Sequence, residues 1–120
     1  MKLENLGIVI ATRELILDRS ERVTVLVGKP QLFANGVDWY CPYQTLGIGS
    51  GGVRYGAGVD EIQALVLALS MVGAVLCCSE EYREGRLTWD CGRDGDLGFP
   101  VSDNIRDVLP DGRQPYDEKP

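Results

Sequence analysis

Few side chains in this sequence could carry chemistry: the cysteines Cys41, Cys77, Cys78 and Cys91, the carboxylates Asp90, Asp94 and Asp96, the glycine-rich link Gly47-Ile48-Gly49-Ser50-Gly51-Gly52, and Arg54 among the aromatics Trp39, Tyr40, Tyr43 and Tyr55. There is no histidine. A nucleophilic Cys41 or Cys91 would therefore lack its usual base. The adjacent Cys77 and Cys78 lack the gap that lets a cysteine pair grip one tetrahedral zinc ion. Buried free thiols are the expectation. The run Asp-Cys-Gly-Arg-Asp-Gly-Asp from Asp90 has neither the full calcium-loop pattern nor its closing glutamate, and reads as a solvated acidic turn. The glycine link has the spacing of a dinucleotide loop but is followed by a strand-like segment rather than a helix, so it reads as a hairpin connection. No catalytic residue, metal ligand or cofactor is expected.

What remains are residues suited to contact. Tyr and Arg are enriched at binding hot spots, which singles out Tyr40, on the outward face of its strand, and Arg54. The three aspartates Asp90, Asp94 and Asp96 could meet a basic partner, and Leu67 and Met71 join the set through the helix described below.

The elements that must position these residues follow from periodicity. Leu6 to Leu17 reads as a strand with Ala11, Arg13 and Leu15 on one face and Thr12 and Glu14 on the other, and Asp18 to Glu21 turns the chain. Arg22 to Gly28 is a second strand with one buried face by its alternating Val23, Val25 and Val27, expected to pair with the first as a hairpin. Asp38 to Leu46 puts Trp39, Cys41, Tyr43 and Thr45 opposite Tyr40, Gln44 and Leu46. Pro42 inside it predicts an edge strand or a bulge. A fourth strand covers Val53 to Ala57, and a fifth Arg86 to Asp90, so the early strands form an antiparallel meander.

Between the last two strands Asp60 is a good N-cap for a helix reaching Ser79 or Tyr82 and stopping near Gly85, about 30 Å long. Ile62, Leu65, Val66, Leu69, Val72, Gly73 and Leu76 form the stripe expected to face the sheet. The opposite side, Ala64, Leu67, Ala68, Met71, Ala74, Val75 and Cys78, is also apolar. Either the chain wraps that second stripe with its Phe99 segment and C-terminal residues, or another polypeptide covers it. Leu67→Glu separates the two: the first arrangement unfolds, the second stays folded and loses association.

The fold class expected is α+β, a four- or five-stranded mostly antiparallel sheet packed on one long apolar helix. Residues 1–102 form a single domain, with Asp96 to Val101 docking onto the body. Residues 103–120 form a polar tail expected to be mobile, with a short helical turn at Ile105, Val108 and Leu109. No internal repeat is present. The length of 120 residues and 44% apolar content fit one hydrophobic core. No apolar run reaches the ~18 residues of a membrane span. Without a signal peptide pattern, and with thiols expected to stay reduced, the expected compartment is the cytoplasm. A net charge of −6 opposes direct nucleic-acid binding, which depends on Lys and Arg.

The string GVDEIQALVLALSMVGA, preceded by WYCPY and a glycine-rich link and followed by GRLTWD and DLGFPV, resembles a family of small uncharacterised bacterial αβ proteins. There a GVDxxQALxLAL-type helix follows a strand meander and precedes a DLGFP end. The resemblance covers roughly residues 8 to 101 and includes Trp39, Arg54, Asp60, Gln63, Gly98, Phe99 and Pro100. It implies the same fold, a structural cap at Asp60 and Gln63, and no catalytic residue.

The function these readings favour is a noncatalytic protein-binding domain, an immunity, inhibitor or accessory protein that occupies a partner surface or pairs with itself as a homodimer. Two alternatives stand beside it. One is a small-molecule-binding domain or enzyme with a cleft between the glycine link and the helix start, rimmed by Arg54 and Asp60. The other is an acidic nucleic-acid mimic that arrays Asp90, Asp94, Asp96, Asp103 and Asp107.

Overall fold

Alternating valines and leucines pair into a hairpin in a computed structural model that describes residues 2–100. Strand β1 (Val9–Leu17) runs antiparallel to β2 (Glu21–Gly28), with Leu15 opposite Val23, Arg13 opposite Val25 and Ala11 opposite Val27. Leu15, Leu17, Val23, Val25 and Val27 are all buried on the same face. The turn between the strands places Asp18 and Arg19 at φ +53° and +72°. The Arg86 guanidinium holds Asp18 there through bonds of 2.8 and 3.2 Å, and lowers its carboxyl below the usual value.

The sheet continues with β3 (Gln31–Leu32), β4 (Trp39–Leu46) and β5 (Arg54–Gly58). Strands β1, β2, β4 and β5 follow one another as an antiparallel meander, and β3 continues the line of β2 beside the start of β4. After the helices, β6 (Leu87–Thr88) returns to pair with Ile16 and Leu17 of β1. The fold is thus α+β, and the antiparallel sheet has six strands because two pieces of two residues each, β3 and β6, join the longer four.

Pro42 does not make β4 an edge. The strand is paired on both sides, to β5 over Trp39 to Tyr43 and to β2 over Tyr43 to Leu46. The missing N–H is tolerated because Pro42 falls between the ladders to β2 and β3, where the neighbouring chain breaks at Gly28. A Cβ at Gly28 would lie 2.7 Å from Pro42 Cγ, so the proline ring fills the space of that break.

Helix α1 (Glu61–Cys77) begins where expected. Asp60 Oδ1 accepts from the Gln63 amide at 2.8 Å, and Gln63 Oε1 accepts from the Val59 amide at 2.7 Å, a reciprocal cap. The helix ends earlier than its apolar run: Ser79 accepts from the Tyr82 amide and starts a separate turn, α2 (Glu80–Arg83). Gly85 follows at φ +77°.

The rotation of α1 differs from the expected one. Its buried residues are Ala64, Ala68, Val72, Gly73, Leu76 and Cys77, while Ile62 and Val66, assigned above to the sheet-facing stripe, are 68% and 50% exposed. The reason lies in β5, which turns Gly56 and Gly58 toward the helix. A Cβ at Gly56 would come 2.5 Å from the Ala68 amide nitrogen, and one at Gly58 2.5 Å from that of Ala64. The helix sits almost backbone to backbone on the strand, so alanine occupies the contact and larger side chains go to the flanks.

The two apolar sides exchange roles along the helix: Ala64 and Ala68 of the second side meet β5, and Gly73 of the first is covered by the C-terminal segment. Phe99 and Pro100 pack on Gly73, where a Cβ would lie 3.0 Å from Phe99 Cβ, and Leu97 and Phe99 are buried in the core. Met71 and Ala74 are half-buried against that core. Leu67, Val75 and Cys78 stay exposed. The expected turn at Ile105, Val108 and Leu109, the carboxylates Asp103 and Asp107, and the tail of residues 103–120 lie outside the described residues.

Candidate functional site

The helix lies over β4 and β5, which leaves the start of β1 uncovered. Ile8, Val9 and Ile10 are 68%, 44% and 49% exposed. Among the described residues, no strand pairs with Val9 to Leu15 on the side away from β2, and no loop backbone bonds to Ile10 through Glu14 there. A β-bulge between Val9 and Ala11 turns this end of the strand. Such a free, apolar edge is a template for pairing with another chain. On the other side of Ile8, toward the end of β2 and β3, an open groove of about 550 Å³ runs between Ile8, Pro30, Leu32, Trp39 and Glu61.

Farther along β1, Arg13 fastens the C-terminal segment to the sheet. Its Nη1 donates to the carbonyls of Leu97 at 3.0 Å and Gly98 at 2.9 Å. The guanidinium lies 4.0 Å from the Trp89 ring centre and 4.8 Å from that of Phe99. This brings the segment that carries the acidic turn onto β1 at Arg13. Asp90 and Asp94 are exposed there, and Asp96 is half-buried with Oδ1 accepting from the Gly98 amide at 2.6 Å. Tyr82 holds the turn by donating its hydroxyl to the Gly95 carbonyl at 2.8 Å. Arg13 was not singled out from the sequence, although an arginine on the buried face of a strand is an available signal: it must find acceptors or aromatic faces.

A second feature lies at the opposite side of the sheet. The glycine link, with Tyr43, Thr45 and Arg54, borders a cavity of about 160 Å³ closed by Ile48 and by Val75, Leu76, Ser79 and Glu81. Arg54 is at its rim as expected, but Asp60 is not, because the cavity opens at the C-terminal end of α1 whereas Asp60 caps the other end. The Tyr43 hydroxyl is buried and unpaired, an arrangement that costs ~1–3 kcal/mol. Burial pushes its pKa up, and the charge of Arg54 opposes that shift.

The remaining contact residues are dispersed. Tyr40 packs on the outer face of the sheet with Phe33 at 4.9 Å and Tyr55 at 5.9 Å between ring centres. Leu67 lies on the helix beside Gly56 of β5, and Met71, one turn on, is half-buried against the core. The structure thus groups Asp90, Asp94 and Asp96 near β1, places Arg54 at the cavity, and leaves Tyr40, Leu67 and Met71 elsewhere. Cys41 and Cys77 are buried, Cys78 and Cys91 exposed, and all four are free thiols. Among the described residues no cluster of three or more His, Cys, Asp or Glu could hold a metal ion, and no helix is long and apolar enough to cross a membrane.

Compared with known proteins, residues 11–101 match the family described as "Domain of unknown function (DUF6968)". No curated protein and no solved structure gives a significant match.

Proposed function

This chain belongs to the DUF6968 family, and we propose that it is a noncatalytic protein-binding domain that takes an extended segment of a partner protein onto the free side of β1. The observation that carries this reading is the edge of β1 at Ile8, Val9 and Ile10, which is apolar and exposed and, among the described residues, has no backbone partner on the side away from β2; on the β2 side the Ile8 carbonyl accepts from the Lys29 amide. Main-chain bonds to such an edge provide affinity, and alternate side chains provide selectivity. Asp90, the chain neighbour of the Trp89 that lies against Arg13 of β1, is exposed, and the chain carries a net charge of −6. The favoured partner segment is therefore one whose apolar residues alternate and whose flank is basic. The same net charge on two copies opposes self-pairing, so a different protein is favoured over a homodimer. The domain acts as an accessory or inhibitor-type protein by occupying the partner, in a reducing, cytoplasm-like compartment that keeps its four thiols free.

The test compares wild type, Ile10→Lys and Leu67→Glu in affinity capture from the native host, followed by hydrogen exchange on the purified complex. Ile10 is exposed, so its replacement leaves the fold intact. The expected result is loss of the captured protein with Ile10→Lys, retention with Leu67→Glu, and new protection across Val9 to Glu14 in the wild-type complex. Capture unaffected by Ile10→Lys, protection confined to another surface, or recovery of no specific protein rejects the reading.

A further inference from the structure

Tyr43 and Arg54 stand directly opposite one another in the β4–β5 ladder, which puts their side chains on the same face of the sheet. That face borders the cavity of about 160 Å³. Tyr43 is 2% exposed; among the described residues its hydroxyl has no hydrogen-bond partner, and Arg54, which is exposed, makes no ion pair. The walls supplied by Ile48, Val75 and Leu76 are apolar. Ser79 gives nothing to the cavity: its hydroxyl donates to the Leu76 carbonyl and accepts from the Tyr82 amide. Glu81 adds a negative charge to the lining.

We propose that this cavity is a binding site for a small organic monocarboxylate with a compact apolar end. The carboxylate accepts a hydrogen bond from the Tyr43 hydroxyl and pairs with the Arg54 guanidinium, both charge-assisted contacts. The apolar end lies against Ile48, Val75 and Leu76. A cavity of ~150 Å³ accommodates a benzene-sized molecule, so one ring or a short branched chain fits. The Tyr43 hydroxyl is fully buried, so binding includes a local shift that uncovers it; the glycine link that lines the cavity is tied back by a side-chain bond from Gln44 Nε2 to the Gly51 carbonyl at 2.7 Å. Glu81 opposes any carboxylate and Arg54 compensates only one, so the site discriminates against dicarboxylates. This site is independent of the free edge of β1.

The full chain, labelled with nitrogen-15, is titrated with benzoate and isovalerate, with benzamide as the neutral control and succinate as the dicarboxylate. Saturable shifts are expected at Ile48, Gly49, Gly51 and Val75 with at least one monocarboxylate, and much weaker ones with benzamide and succinate. Arg54→Gln and Tyr43→Phe each weaken binding about tenfold or more, as expected for loss of a charge-assisted bond. Tyr43→Phe also leaves the thermal midpoint unchanged or higher, because it removes an unpaired buried hydroxyl, which shows that its weaker binding is not a folding defect. Glu81→Gln improves succinate binding. The proposal is overturned by the absence of saturable shifts with both monocarboxylates, by equal affinity for benzamide, or by an Arg54→Gln protein that binds as wild type does.

Discussion

Arg13 stacks its guanidinium 4.0 Å from the centre of the Trp89 ring, joining the second half of the sequence to the first strand of the sheet. The same side chain donates to two carbonyls, those of Leu97 and Gly98. Arg13→Met keeps the length and apolar stem but leaves both carbonyls without this donor. Stability is expected to fall by ~2–3 kcal/mol, measured by urea unfolding. Arg13→Lys recovers only part of the loss, because an ammonium cannot lie flat between two rings and donate in a fixed fork. A change below ~0.5 kcal/mol for Arg13→Met, the range of ordinary surface substitutions, would show that the Leu97 to Pro100 segment is held by apolar contact alone.

The contact between β5 and α1 leads to a second expectation. Gly58→Ala drives a methyl group into the Ala64 amide and Gln63 Cβ, and Gly56→Ala does the same at Ala68. Neither neighbour is a flexible side-chain end, so the helix must move off the strand. Each substitution is expected to destabilise by ~1–3 kcal/mol. Gly52→Ala is the control: its nearest neighbour is Ser50 Oγ at 3.8 Å, and unfolding is expected to change by less than ~0.5 kcal/mol.

These glycines also mark the limit of what periodicity could reveal. The alternation of Val23, Val25 and Val27, and of Trp39, Cys41 and Tyr43, was enough to assign the strands and their inner faces. The helix start was equally legible, since Asp60 and Gln63 form a local cap. The rotation of α1 was not, because apolar residues surround the helix and its period selects no face. The deciding information sits in another element, at Gly56 and Gly58, and depends on knowing that β5 lies beneath the helix. The site residues divide in the same way. Arg54 was legible as a side chain at the glycine link, but which end of α1 closes that link depends on the direction of the helix across the sheet. Arg13 was missed because its ring partners, Trp89 and Phe99, lie more than seventy residues away in the sequence.

The cap of α1 permits a more local prediction. Asp60→Ala removes the acceptor for the Gln63 amide and disengages one half of a reciprocal pair. A loss of ~1 kcal/mol in thermal or denaturant unfolding is expected. Asp60→Asn, which keeps a side-chain oxygen at the cap, should retain most of the stability. If Asn and Ala prove equally harmful, the carboxylate acts through its charge on the helix dipole rather than as a hydrogen-bond acceptor.

The thiols supply a test of the core that also has a pH dependence. Burial pushes Cys41 and Cys77 up from an ordinary 9.0 to about 11, because the interior disfavours the thiolate. A folded-state value above the unfolded one means the folded chain holds its protons longer. The stabilisation from these neutral thiols is therefore fully present below pH 9.0 and is lost as the pH rises through about 11. Replacing both with alanine should flatten that alkaline decline, apart from the loss of packing at every pH. At pH 8, a thiol reagent should label the exposed Cys78 and Cys91 at once, and Cys41 and Cys77 only after denaturant is added. Rapid labelling of Cys77 under native conditions would mean that the end of α1 opens locally, which would place the weakest part of the core beside the cavity at Leu76.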